Sequence, residues 1–215
     1  MPGCCTPFEH AADEQFNRKK AAAELKRYRD RGPGVTTRLL EDGIARTRDV
    51  GGTLLDIGSG IGSLAFELLN RGIVRAIGVD ASSACVETAR EEAQRLGRTG
   101  DVTFIHADFV SVASELQSAS IVTLDRVVCC YPAYEPLLNA AVQHADRCFA
   151  LSYPRDTWYV RTAMFLENVL RWLTRNSFRT FVHPATNIEQ LIRRAGFTLA
   201  SRRDTWTWAV DVYSR

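Results

Sequence analysis

A chain of 215 residues can build one sizeable α/β domain with its own core but not two, so a single catalytic unit is expected, with any substrate-covering part an appendage. Hydrophobic residues at 46% and charged residues at 24% exclude a disordered chain, and a net charge of +2 excludes a strong overall field for nucleic acid. No apolar run reaches the ~18 residues of a membrane span. Glu9, His10, Asp13 and Glu14 leave no signal-peptide core, which predicts a cytoplasmic protein, and six irregularly spaced cysteines predict free thiols rather than a disulfide scaffold.

From Glu9 to Asp30 the sequence is alanine-rich and charged, with Phe16, Ala23 and Tyr28 at loosely helical intervals, until Gly32-Pro33-Gly34 breaks it. This predicts an N-terminal helix outside the main core. A second helix is expected over Thr36–Arg48, where Leu39, Leu40, Gly43, Ile44 and Thr47 share a face, and Gly51-Gly52 ends it. A regular alternation follows: strand Thr53–Ile57, helix Ser63–Asn70, strand Val74–Val79, helix Ser82–Leu96, strand Val102–Ala107, a short helix near Ser111–Leu116 and strand Ile121–Val128. Alternating segments of this length predict a parallel sheet with right-handed crossovers. After Pro136 a helix to about Ala145 leads to strand Cys148–Tyr153, a long helix Thr157–Arg175 and a short one, Asn187–Ala195, that Gly196 caps. Thr198–Arg203 and Thr207–Tyr213 read as a closing hairpin. The expected fold is therefore a doubly wound, mostly parallel seven-stranded α/β sheet with the last strand reversed. Residues 1–50 form a helical cap within the same domain, and residues 51–215 form the core.

The most informative segment is Leu54-Leu55-Asp56-Ile57-Gly58-Ser59-Gly60-Ile61-Gly62, in which a buried strand delivers an acid into a glycine-rich turn that opens a helix. Glycine is required where backbone approaches a ligand without a Cβ in the way. Asp80 then ends the second strand at the carboxyl edge, where open α/β sheets bind ligands, and an acid there can accept both ribose hydroxyls.

These residues resemble the class I, Rossmann-like S-adenosylmethionine-dependent methyltransferases, whose first motif is an acid followed by alternating glycines and whose second is an acid closing strand two. His106-Ala107-Asp108-Phe109 is similar to the family's third motif. The resemblance covers about Thr53 to Tyr153. It implies S-adenosylmethionine as cofactor. Asp56 would orient the loop and approach the methionine part, and the backbone at Gly58 and Gly60, with Ser59 and Gly62 beside them, would line the sulfonium. Asp80 and Ala81 would sit at the ribose, Asp108 would face the adenine amino group, and Phe109 would flank the ring. A nicotinamide-dependent oxidoreductase is the rival enzyme, but its G-x-G-x-x-G fingerprint is not met where Ser63 follows Gly62. A non-catalytic cofactor-binding scaffold is the rival from outside enzymology.

In this fold the loop after strand four faces the transferred methyl group, which places Tyr131 and Pro132 beside the acceptor. Methyl transfer is an in-line displacement in which positioning does much of the work. If the acceptor must lose a proton, the candidate bases are Tyr131, Asp125 and His183, each with a packing or surface role as its alternative. Cys4-Cys5 and Cys129-Cys130 are adjacent pairs. On a strand such neighbours point to opposite faces, and without C-x-x-C spacing no metal site is expected, although the two pairs together offer soft ligands for a metal or metalloid. Phe165, Leu166, Val169, Leu170 and Trp172 read as core positions. Arg155 and Arg161, with Arg18, Lys19 and Arg27, are a candidate electropositive rim for an acidic acceptor, or else a solvated face. Phe181-Val182-His183-Pro184 and Ala195-Gly196-Phe197 also resemble the magnesium-protoporphyrin O-methyltransferase group, which implies a carboxylate acceptor on a large planar ring. The Cys-Cys-Tyr-Pro loop departs from that group. The expected activity is methyl transfer to a small molecule, with an acidic or carboxylate-bearing acceptor as the candidate, and nucleic acid and a membrane span are not expected as partners.

Overall fold

The computed structural model describes residues 7–47 and 51–215. Three helices lead: α1 (Pro7–Gln15), α2 (Arg18–Arg31) and α3 (Val35–Arg46). The alternating body then runs β1 (Thr53–Ile57), α4 (Ser63–Asn70), β2 (Arg75–Asp80), α5 (Ser83–Arg95), β3 (Val102–His106), α6 (Phe109–Val112), β4 (Ala119–Asp125), α7 (Tyr134–Gln143) and β5 (Ala145–Pro154). α8 (Trp158–Leu173), α9 (Ala185–Arg194), β6 (Thr198–Asp204) and β7 (Trp208–Ser214) close the chain. The seven strands lie in the order β3-β2-β1-β4-β5-β7-β6, with β1 to β5 parallel and β7 antiparallel to both neighbours. The order reverses at β1, and β1 and β4 end beside each other at the carboxyl edge, where this class of sheet opens a crevice.

Period-two alternation divides the strands between two core layers. Leu55, Ile57, Val122, Leu124, Phe149 and Leu151 face α7 and α9, where Leu137, Leu138, Ile188 and Ile192 are buried. Leu54, Ile121, Cys148 and Ala150 face α3, α4 and α5 through Leu40, Ile44, Leu64, Phe66 and Val86. α3 thus packs on the sheet itself, against β5 and β7.

Three expectations change. The single helix read over Glu9–Asp30 is two, because Asn17 takes an extended conformation and its side chain accepts from Lys20 N, starting α2 afresh. β4 stops at Asp125, three residues short of the expected end: Arg126 adopts φ +63, and Val128–Cys130 form a 3-10 turn, so the paired cysteines do not sit on a strand. The apolar residues of α8 are not core. Trp158 is 79% exposed and Trp172 67%, and Phe165, Leu166 and Leu170 are exposed with them, because the helix turns its other face, Val160, Met164 and Arg171, inward. Among the described residues no helix is long and apolar enough to cross a membrane.

Candidate active site

A cavity of about 330 Å³ opens over the carboxyl ends of β1, β2 and β4. The glycine loop forms its floor. Gly58 and Gly60 hold φ at +66 and +54, conformations that L side chains resist. A Cβ on Gly58 would meet Val127 Cγ2 at 2.3 Å, whereas one on Gly60 would meet no protein atom within 4 Å and would project into open space. The loop is pinned to β2, since Gly58 N donates to Val79 O at 2.7 Å and Gly60 N to Asp80 Oδ2 at 2.7 Å. Asp80 Oδ1 accepts from Ser82 N at 2.8 Å, and burial raises the carboxyl above its usual range. Ser59 Oγ is buried, with no hydrogen-bond partner among the described residues.

Asp56, 2% exposed, ends β1 beneath the cavity and accepts from Thr123 Oγ1 at 2.6 Å. Burial pushes its carboxyl up to about 7; the Thr123 bond opposes this shift, and the nearby Asp125 and Asp80 charges add to it. Ala81 and Phe109 lie on the wall. Asp108 does not line the cavity: its Oδ1 accepts the Tyr131 hydroxyl at 2.6 Å and the Val110 N–H at 3.1 Å, capping α6. Its own N–H donates to Glu9 Oε1 of α1 at 2.7 Å.

Of the residues placed at the acceptor, Tyr131 and Asp125 reach the wall, whereas Pro132 and His183 do not. Tyr131 has donated its hydroxyl to Asp108, and burial together with that carboxylate raises its pKa far above the usual phenol value. Asp125 accepts from Thr37 Oγ1 at 2.7 Å and Ser152 Oγ at 2.6 Å. His183 donates Nε2–H to the Tyr131 carbonyl at 2.9 Å and packs against Tyr134, and burial lowers its pKa. It supports the loop from behind.

Several wall residues carry no motif. α1 contributes Phe8, whose ring lies 4.2 Å from that of Tyr131, and the turn after it contributes Phe16. α8 contributes Met164, Glu167 and Arg171; their spacing opposite the apolar stripe was the one available signal. None of Arg155, Arg161, Arg18, Lys19 and Arg27 lines the cavity, so the rim read from sequence does not assemble there. Arg18 pairs with Glu87, Arg27 with Glu24, Arg155 with Asp204 and Arg161 with Asp156. Among the described residues, the cations on the wall are Arg126 and Arg171. Arg126 lies 3.4 Å from Glu24, while Arg171 pairs with Glu167 and donates to Thr180 Oγ1 at 3.0 Å. Cys129 and Cys130 also reach the wall, and Cys4 and Cys5 lie outside the described residues. Among the described residues no cluster of three or more metal-ligating side chains forms.

Residues 54–150 match the family model described as a methyltransferase domain. No curated protein matches the sequence. Among solved structures, the magnesium protoporphyrin IX methyltransferase of Synechocystis PCC 6803 with bound S-adenosylhomocysteine superposes with a TM-score of 0.73 at 20% identity, over 97% of this chain and 99% of that one. An O-methyltransferase family protein from Burkholderia thailandensis gives 0.73 at 16% identity, over 96% of this chain and 61% of that one. A methyltransferase from Mesorhizobium loti gives 0.62 at 15%, over 81% and 96%. The matched segment, from within β1 to within β5, is similar to a methyltransferase domain, and the sheet order and superpositions show that the chain has the class I, Rossmann-like methyltransferase fold.

Proposed function

We propose that the protein methylates a carboxylate oxygen of a small-molecule acceptor, giving a methyl ester. The observation that carries this reading is the state of the three candidate bases. Tyr131 is committed to Asp108 and its phenol is held protonated, both oxygens of Asp125 already accept hydroxyls, and His183 lies off the cavity. A hydroxyl or amine acceptor would have to lose a proton around the transfer. A carboxylate is already anionic at neutral pH and needs only to be positioned and desolvated. Arg126 and Arg171 supply the cations on the wall, and each guanidinium has five N–H donors, more than its observed partners use.

The residues present fit the cofactor. Gly60 leaves open the space a Cβ would fill, Ser59 holds a hydroxyl without a partner among the described residues, and the buried Asp56 and half-buried Asp80 stand where a cationic ligand would stabilise their ionised forms. Bound S-adenosylmethionine supplies an electrophilic methyl on a sulfonium. In this reading Asp80 and Ala81 hold the ribose, Asp56 meets the methionine ammonium, and the backbone from Gly58 to Gly62 frames the sulfonium. Phe109 flanks the adenine. Asp108 acts by fixing Tyr131 rather than by touching the base, which revises its expected role. Tyr131 shapes the wall against which the acceptor lies, and α1 shields the site from water.

The reading is tested by incubating the protein with methyl-labelled S-adenosylmethionine and a panel of carboxylic acids, phenols, amines and thiols. A methyl ester hydrolyses in mild alkali and releases labelled methanol. Alkali-labile label on acids is the expected outcome; label on an alkali-stable ether, amine or thioether contradicts the proposal.

A further inference from the structure

At the end of β4 the positive φ of Arg126 swings the chain into the Val128–Cys130 turn. The Arg126 carbonyl then faces two thiols at once. Cys129 Sγ donates to it at 3.4 Å and Cys130 Sγ at 3.5 Å, and the sulfurs are 3.8 Å apart. Both residues lie on the cavity wall, Cys129 buried and Cys130 half-buried. The helical turn has brought to one side two side chains that a strand would have separated.

The spacing selects what the pair can hold. Adjacent Cα atoms are about 3.8 Å apart, shorter than the ~4.4–6.8 Å span of ordinary disulfides, so direct oxidation of the pair is geometrically poor. One bridging atom suits it better: two sulfurs bound to one atom at about 2.3 Å are separated by roughly 3.4–3.8 Å for bond angles from pyramidal to tetrahedral, within a small side-chain rotation of the observed 3.8 Å. Zinc would require further protein ligands, and the described residues offer no cluster of three or more. The bridging atom must therefore be soft, content with two protein sulfurs, and already carrying a third substituent.

We propose that the Cys129–Cys130 dithiol is a capture site for monosubstituted trivalent arsenicals, with arsenic bridging the two sulfurs and its organic group lying in the cavity against the apolar part of the wall. The step balances without a redox partner. Two As–S bonds form and two As–OH bonds break, each thiol proton leaves with a hydroxyl as water, and arsenic stays trivalent. The site is independent of which acceptor is methylated.

The probe is phenylarsine oxide, added to the full chain carrying Cys4→Ser and Cys5→Ser so that Cys129–Cys130 is the adjacent pair that is left. Native mass spectrometry should show one phenylarsenic per chain, with two titratable thiols consumed and reversal by a dithiol but not by an equal excess of monothiol. Adding Cys130→Ser should weaken binding about a hundredfold or more, because the second arm of a chelate acts at high effective concentration. Cys129→Ser should do the same, while Cys85→Ser should leave the adduct intact; S-adenosylhomocysteine binding reports folding in each variant. Failure to form the adduct on the Cys4→Ser, Cys5→Ser chain, consumption of a single thiol, or unchanged affinity in a folded Cys130→Ser chain would each overturn the proposal.

Discussion

Asp56 is a carboxyl group kept out of water by its own fold, and its displaced titration has two consequences with opposite signs. The folded state binds the proton until about pH 7, whereas an unfolded aspartate releases it near pH ~4. Between those values the native state holds the extra proton, so stability of the cofactor-free protein should fall as pH rises through the window and level off above it, by roughly a few kcal/mol in total. Cofactor affinity should move the other way, rising from pH 6 to 8 as Asp56 ionises to meet a cationic ligand. Asp56→Asn should flatten both profiles. Denaturant titrations and calorimetry across that range check this, and an affinity that falls with pH would remove Asp56 from the ammonium. Tyr131→Phe tests the neighbouring role. It leaves a buried Asp108 oxygen short of one donor, a loss of about 1–3 kcal/mol in stability. Turnover should stay near normal, because ester formation asks no proton of the phenol. A collapse of kcat at unchanged KM would reinstate it as a base.

Among the elements, α1 does more than extend the chain. Glu9 accepts the Asp108 N–H, Asp13 Oδ1 accepts from Ser83 N and Oγ, and Phe8 packs on Tyr131, so the helix closes one wall of the cavity onto two strand ends. Deleting residues 1–16 should therefore weaken S-adenosylhomocysteine binding at least about tenfold, ~1.4 kcal/mol, while the sheet still folds. Equal affinity in the truncated chain would show that α1 is not part of the site. The sequence predicted helix over α1 and α8 but neither the break at Asn17 nor these faces. Apolar spacing in α8 showed that the helix has an apolar side without showing which side meets the protein, and the cavity claimed the stripe carrying Met164 and Arg171. The end of β4 was misread because Val127, Val128 and Cys129 continue a strand-like composition. Nothing in an arginine signals the left-handed turn that stops the strand, whereas a glycine would have.

At the scale of the whole molecule, the sheet and its crevice were legible because they rest on local signals: short apolar strands, helices between them, and an acid before each bend. Asp56, Gly58, Gly60 and Asp80 come together through strand neighbours in register, Asp56 opposite Gly78, which the alternation already implied. The Tyr131–Asp108 bond and the closing α1 depend on contacts between residues far apart in the chain, so no spacing announces them. What the glycine loop binds decides the enzyme class. Calorimetry with S-adenosylhomocysteine and, separately, NAD, on the intact chain and on Gly60→Val, asks this directly. The predicted result is saturable binding of S-adenosylhomocysteine at one site per chain and none of NAD, with binding lost in a folded Gly60→Val protein because the new side chain fills the open side of the loop. Binding of NAD in preference, or S-adenosylhomocysteine affinity untouched by Gly60→Val, would contradict it.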